Sequence, residues 1–297
     1  MPKSNLHPSR AKYLSLIKQT SGIELDIVPA DQVQAEAKPL RESASGDHIY
    51  IKQGDLSLSQ RAQRREQLVR SRQQNNLEQI NSLAIEYVNQ DAQFDRLDLD
   101  WMMKFNELAC RSYSPTMHDL WAKILAVELS QPGTFSYKSL KTLSEISTKE
   151  AMLFYRSVKL MSRLGEEKGA KILTGVYKKP TLMSIFSTNN RQAINLSKFG
   201  MSYPQLVTLA DLGLIYTQEI ESAPYQIGQS LNLVYQGQNI RMKISQKDVI
   251  FTYYKFTQTG VELSKLVATE ADKNYLQSLM SEFKSLIDLS LGKEQVI

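Results

Sequence analysis

The chain has 297 residues, 42% of them hydrophobic and 23% charged, which is the composition of a globular protein with room for about two domains. Its single cysteine, Cys110, excludes a disulfide framework and a cysteine-based zinc site. The net charge of +5 permits an anionic partner without requiring one. No apolar run is long enough to span a membrane, and the first residues lack the apolar stretch of a secretory signal, so we expect a cytoplasmic protein.

Residues 1–58 predict an irregular lead segment, because the stretch 31–46 is polar, contains Pro39 and has the composition of a linker. Residues 59–90 predict one long helix, since apolar side chains recur at helical spacing and no glycine or proline interrupts them. Four basic side chains lie beside the apolar stripe of this helix: Arg61, Arg64, Arg65 and Arg72.

Residues 98–165 predict four helices joined by short loops, each with a wide apolar face. Together with the long helix they form a predicted domain over residues 59–165. Every one of these helices has a recognisable N-terminal signal: Asp98, Ser114 before Pro115, Ser136, and the capping box Ser147–Glu150.

Residues 166–297 predict a winged-helix-like module followed by a closing helix at 270–290. A short helix capped by Ser202 precedes a hairpin over 231–244, and a strand over 249–257 leads into another helix. The expected fold class is therefore mainly α with a small α+β part, a helical bundle plus a C-terminal winged-helix-like module.

The predicted hairpin carries the other candidate contacts for an anionic partner. Arg241 and Lys243 share the face opposite the apolar residues of their strand, and Lys247 lies beyond it. The candidate recognition helix, residues 203–212, has no lysine or arginine, which argues against direct reading of DNA bases by this helix.

Lys123 and Glu128 lie on a helix that is otherwise apolar, so both are candidate buried polar residues. A buried charge is costly unless it is paired, and Lys123 can pair with Asp119 one turn earlier. Glu128 needs another partner, for which Arg111 and Lys138 are candidates. Either a structural ion pair or a binding-site role would account for Glu128.

No pattern in the sequence indicates catalysis. Asp98 and Asp100 are two residues apart and do not face each other on a helix, so they indicate a cap and a helix-dipole charge rather than an acid–base pair. Phosphate-binding loops, dinucleotide fingerprints, metalloprotease motifs and esterase motifs are absent from the sequence. We expect no enzyme activity, no cofactor, no bound metal and no small-molecule substrate.

Three stretches form a recognisable pattern, LWAKILAVE at 120–128, PGTFS at 132–136 and TQTGVEL at 257–263. With Trp101 and the earlier NLEQI at 76–80, they resemble a bacterial family known only as a domain of unknown function, over roughly residues 60–285. That resemblance implies no particular chemistry. The first stretch is also similar to a helix of the abortive-infection alpha proteins, which implies a bacterial stress or phage-defence setting.

These observations predict a non-enzymatic bacterial regulatory or adaptor protein that binds a macromolecular partner. Nucleic acid is the partner that the basic helix and the predicted hairpin, the wing of the winged-helix-like module, would suit. Two alternatives stay open. One is a protein–protein assembly module, acting as a homo-oligomer or with another protein and without nucleic acid. The other is a phage-defence component.

Overall fold

The computed structural model of the protein describes residues 8–29, 39–44, 46–52, 56–88, 97–165, 169–180, 191–268 and 270–291. Backbone contacts divide the chain into two compact units, Met1–Gln79 and Ile80–Ile297. The division falls inside helix α2, Leu58–Tyr87, which matches the long helix predicted from the sequence to within a few residues. Each unit is described separately below.

The first unit contains a helix and a small antiparallel sheet ahead of α2. Its elements are α1 (Pro8–Ser21), β1 (Leu25–Val28), β2 (Arg41–Glu42) and β3 (His48–Ile51), with strand order β1-β3-β2. Ion pairs join α1 to the residues around this sheet, Arg10 to Asp47 at 2.8 Å and Lys18 to Glu24 at 3.1 Å. Strands of two to four residues are too short for an alternating pattern, which is why the sequence predicted an irregular segment here.

The second unit begins with the helical bundle. Its helices are α3 (Leu99–Ala109), α4 (Pro115–Ser130), α5 (Tyr137–Glu145) and α6 (Thr148–Lys159). All four predicted N-terminal signals are confirmed, each by a side-chain oxygen that accepts a hydrogen bond from a backbone N–H of the first turn. Aromatic rings fill the core between α3 and α4, where Phe105 stacks on Trp101 at 5.3 Å and meets Trp121 edge-on at 5.4 Å.

An eight-stranded antiparallel sheet forms the rest of the second unit. Its strands are β4 (Ser162–Leu164), β5 (Lys171–Lys178), β6 (Arg191–Ala193), β7 (Ile220–Glu221), β8 (Ser230–Tyr235), β9 (Gln238–Ile244), β10 (Val249–Lys255) and β11 (Ile287–Leu291). The order is β11-β9-β8-β4-β5-β10-β7, with β6 also paired to β5. The predicted hairpin is confirmed as β8–β9, and its turn residues Gln236 and Gly237 have positive φ values of 47° and 81°.

The expected fold class, mainly α with a small α+β part and a winged-helix-like module, is wrong. Of the residues that the structure describes, about 50% are helical, but 21% lie in strands and eight strands share one sheet. A winged helix would pair the hairpin with strands of its own module. Instead, β4 and β5 separate β8 from β10, and β11 pairs with the other side of β9. The segment is therefore part of a large sheet rather than a self-contained module.

Central strand β5 explains why the sheet was not anticipated. Its first six residues are all buried, so polar and apolar side chains do not alternate along it. The mostly apolar run between Lys171 and Lys178 cannot be distinguished by periodicity from a buried helical segment. Only the structure shows that β5 pairs with β10 along nearly its whole length.

Helix α9 (Lys273–Phe283) covers central strands of the sheet. The other helical segments in this part of the chain are a 3₁₀ turn at Leu196–Phe199, α7 (Tyr203–Asp211) and α8 (Gln258–Ser264). Tyr275 of α9 donates a hydrogen bond to the carbonyl of Leu173 in β5 at 2.7 Å, and Phe283 packs against Phe251 of β10 at 5.9 Å. The strands on the β11 side of the sheet keep one face in solvent.

Gly260, in the first turn of α8, is required by a close backbone approach. A Cβ at this position would overlap the carbonyl oxygen of Leu214, which accepts a hydrogen bond from the N–H of Thr257 at 3.0 Å. We predict that Gly260→Ala lowers the free energy of unfolding by at least about 3 kcal/mol, because backbone on both sides must move.

Gly237→Ala is the matched control for this prediction. Gly237 has open space around it, so its left-handed backbone conformation is the one constraint on a side chain there. Alanine at this position should lower the free energy of unfolding by about 1 kcal/mol. Urea unfolding of both variants measures the difference. Equal losses would show that the approach of α8 to Leu214 does not constrain position 260.

Candidate functional site

The most distinctive surface of the second unit is the exposed side of β4, β8, β9 and β11, which we call the outer face. Alternation along β9 buries Ile240, Met242 and Ile244 and leaves Arg241 and Lys243 in solvent, as the sequence predicted. Arg163 of β4 is exposed in the same way between two buried neighbours. The outer face consists of Arg163, Ser230, Asn232, Val234, Asn239, Arg241, Lys243, Asp288 and Ser290.

Strand register arranges the outer face in three cross-strand rows, and every row carries one cation. The rows are Arg163–Val234–Asn239, Asn232–Arg241–Ser290 and Ser230–Lys243–Asp288. Successive rows lie about 7 Å apart, because residues two apart in a strand are separated by that distance. The positive charges are therefore spread over the face and do not form a single cluster.

The outer face has an unbalanced charge, with three cations against one carboxylate. Lys243 lies directly opposite Asp288 in the register of β9 and β11. Within the described part of the chain, Arg163 and Arg241 form no ion pair. Both side chains are exposed, and a guanidinium group carries five N–H donors that can bind an anion from solution.

Between the cations, the outer face offers amides. Asn232 donates a hydrogen bond from its side chain to that of Asn239 across the β8–β9 pair at 3.2 Å. This contact orients both side chains and leaves a carbonyl on one and an amide on the other for further hydrogen bonds. The face is polar as well as positive.

Lys247, the remaining predicted contact of the hairpin region, is exposed but lies in the turn that follows β9 rather than in the three rows. The candidate recognition helix is α7, whose buried residues are Leu206 and Leu209. Its capping box joins Ser202 to Gln205, so Gln205 accepts hydrogen bonds from the cap. As expected from its sequence, α7 has no basic side chain.

The arginines predicted on the long helix lie in the first unit and form a separate basic surface. Arg64 and Arg65 are exposed. Arg72 donates a long hydrogen bond of 3.5 Å to the carbonyl of Lys18. Arg61 is half-buried, and among the described residues its Nε has no hydrogen-bond partner. Two of the four arginines are thus free to meet an external anion.

The two candidate buried polar residues occupy different environments. Lys123 pairs with Asp119 at 2.8 Å, as predicted, but its side chain is 41% exposed and is not buried. The hydroxyl of Tyr87 also donates to Asp119, and hydrogen bonds from Lys123 and Tyr87 lower the pKa of this carboxyl despite some desolvation. This group is a surface cluster of modest energetic weight.

Glu128 is buried and its carboxylate is held by peptide groups, not by Arg111 or Lys138. It accepts hydrogen bonds from the N–H of Gly133 at 2.6 Å and of Phe135 at 2.9 Å. The carbonyl of Phe135 in turn accepts a hydrogen bond from the indole of Trp101 at 2.7 Å. Glu128 therefore fixes the turn between α4 and α5.

Glu262, which sequence reasoning missed, holds the same turn from α8. Its buried carboxylate accepts hydrogen bonds from the N–H of Ser136 at 2.7 Å and from three side chains, those of Ser136, Ser139 and Gln258. Burial by itself would raise the pKa of Glu262. The hydrogen bonds outweigh burial and hold the pKa below its ordinary value.

Within the described residues, no three His, Cys, Asp or Glu side chains are grouped as a metal site would require. None of the described helices is long and apolar enough to cross a membrane.

Arg163 is the outer-face cation that the sequence did not suggest. Its only signal is the alternation of Ser162, Arg163 and Leu164, which is too short to identify a strand.

We predict that Glu128→Gln lowers the free energy of unfolding by about 1–3 kcal/mol, because an amide nitrogen would face a peptide N–H that now donates to the carboxylate. Lys123→Met should change it by less than about 0.5 kcal/mol, since an exposed ion pair contributes little. Urea unfolding measures both. A larger effect at Lys123 would contradict the assignment of Glu128 as the structural residue.

The lowered pKa of Glu262 predicts a pH-dependent contribution to stability. A carboxylate with a lower pKa in the folded state stabilises the fold above the pKa of the unfolded glutamate, about 4.3. This stabilisation is lost as the pH falls through the folded-state pKa. The stability difference between wild type and Glu262→Gln should therefore be largest near neutral pH and shrink in acid, as measured by urea unfolding at several pH values.

Glu145→Gln, a change at an exposed carboxylate, is the control for Glu262→Gln. It should leave the unfolding free energy nearly unchanged across the same pH range. A difference for Glu262→Gln that stays constant with pH would contradict a role for the charged carboxylate.

The chain was compared with protein-family models, with curated proteins and with solved structures. The model of the DUF2806 family, described as a protein of unknown function, matches residues 60–280. No curated protein and no solved structure matches the chain. The family match covers most of the chain and includes the three stretches whose pattern suggested such a family. The chain therefore belongs to the DUF2806 family.

Proposed function

We propose that this protein is a non-enzymatic regulatory or adaptor protein that binds nucleic acid through the outer face. The observation that supports this most strongly is the presence of one cation in each of the three cross-strand rows, with Asp288 as the one carboxylate among the nine described residues of the face. Phosphates are the regularly repeated anions that such an arrangement suits, and phosphate contacts supply most of sequence-independent binding.

The geometry favours a repeating anion over a single bound ion. The three cations do not converge, since Arg163 lies two strands and one row away from Arg241, a separation of about 12 Å between Cα atoms. One phosphate or carboxylate cannot reach all three. A polymer with a charge at every residue can contact them together without a change in the sheet.

Basic side chains on α2 support the same function from the first unit. Arg64 and Arg65 are exposed, and Glu66 next to them is paired with Arg70 at 2.6 Å. This surface is tested separately, because charge reversal at Arg64 and Arg65 leaves the outer face unchanged.

The test is binding of a mixture of labelled DNA and RNA, single- and double-stranded, to a variant of the outer face. Arg163→Glu, Arg241→Glu and Lys243→Gln are combined. Glutamine is chosen at 243 because a glutamate there would lie opposite Asp288 and destabilise the strand pair. We expect at least about a tenfold loss of affinity at low salt from the removal of three phosphate contacts.

A variant with the same charge change elsewhere in the second unit is the control. Lys141→Glu, Lys198→Glu and Lys265→Gln alter exposed lysines that are not on the sheet. This control should retain most of the wild-type affinity, and both variants should unfold at the same urea concentration as wild type. Equal affinity of wild type and outer-face variant would contradict the proposal.

A further inference from the structure

The outer face also indicates which form of nucleic acid it fits. We infer, on the basis of the proposed function, that the partner is a duplex that is held by its phosphates without regard to base sequence. Two features of the face carry this inference: its lack of aromatic side chains and its width.

Proteins that hold single strands without sequence preference stack bases on aromatic side chains. The outer face has none. The aromatic residue of β8, Tyr235, points to the opposite side, where it is fully buried and its hydroxyl donates to the carbonyl of Lys159 at 2.8 Å. A single strand on this face would gain phosphate contacts only and would leave its bases in water.

The width of the sheet excludes reading of bases by the β8–β9 hairpin. A two-stranded ribbon fits the major groove of DNA, which is about 12 Å wide. Here the hairpin is flanked by β4 on one side and β11 on the other. Three inter-strand spacings of about 4.8 Å place the outer strands about 14 Å apart before side chains are counted, so the sheet cannot enter the groove.

What remains accessible to this face is the sugar–phosphate backbone. Arg163 of β4 and Arg241 of β9 are about 12 Å apart between Cα atoms, which is about the width of the major groove, so they can meet phosphates on both of its sides. A single strand lacks this second row of phosphates. The duplex is therefore the form that meets the cations of β4 and β9 with two separate rows of phosphates.

The test compares labelled probes that share one sequence: a DNA duplex of about three helical turns, the corresponding RNA duplex, and one DNA strand alone. A second DNA duplex of scrambled sequence measures sequence preference. We expect the two DNA duplexes to bind equally within about twofold and the single strand at least about fivefold more weakly. The ratio of the DNA and RNA duplex affinities then shows which of the two duplexes the outer face binds more tightly.

Salt dependence counts the contacts directly. With three phosphate contacts, the logarithm of the DNA duplex affinity should fall with the logarithm of salt concentration with a slope near −2.7, if the first unit does not contribute. Each of Arg163→Gln, Arg241→Gln and Lys243→Gln should reduce the slope by about 0.9, and Lys265→Gln should not change it. The Arg64→Glu, Arg65→Glu variant measures any contribution from α2.

The possible outcomes separate this inference from the proposed function. If no probe binds, the proposed function itself is contradicted. If the single strand binds as tightly as the duplex, or if one duplex sequence is preferred more than about tenfold, the inference is overturned. In that case the proposed function survives when the outer-face variant still loses affinity.

Discussion

The second unit depends on the turn between α4 and α5, which two buried carboxylates hold by hydrogen bonds. Glu128 at the end of α4 binds peptide groups within the turn, and Glu262 of α8 binds Ser136, the residue that caps α5. Since α8 follows β10 directly, the second contact fixes the bundle to the sheet. A buried carboxylate that lost its hydrogen bonds would destabilise the fold. Both Glu128 and Glu262 therefore depend on the turn keeping its position.

The stretches that carry the family resemblance are the ones that build this arrangement. LWAKILAVE ends in Glu128, PGTFS is the turn, and TQTGVEL supplies Gly260 and Glu262. These three stretches therefore contribute contacts that specify how the chain folds.

Local features of the fold could be predicted from the sequence, because they depend on neighbouring residues. Helix caps, the hairpin and the exposure of Arg241 and Lys243 all follow from side chains within a few positions of one another. The sheet could not be predicted, because its central strand is buried on both faces and its partners are distant in the chain. The contact between Glu262 and Ser136 joins residues 126 positions apart, and peptide partners such as those of Glu128 leave no trace in sequence.

The position of β9 between two strands has a consequence for how a partner would bind. Hydrogen bonds to β8 and β11 fix its backbone before any ligand arrives, so only the ends of long side chains become ordered on binding. The entropy lost is then about 0.5–1.5 kcal/mol for each immobilised side chain, with no cost for folding a segment. A rigid, positively charged platform of this kind should be found rapidly by long-range attraction and released as readily when counterions compete.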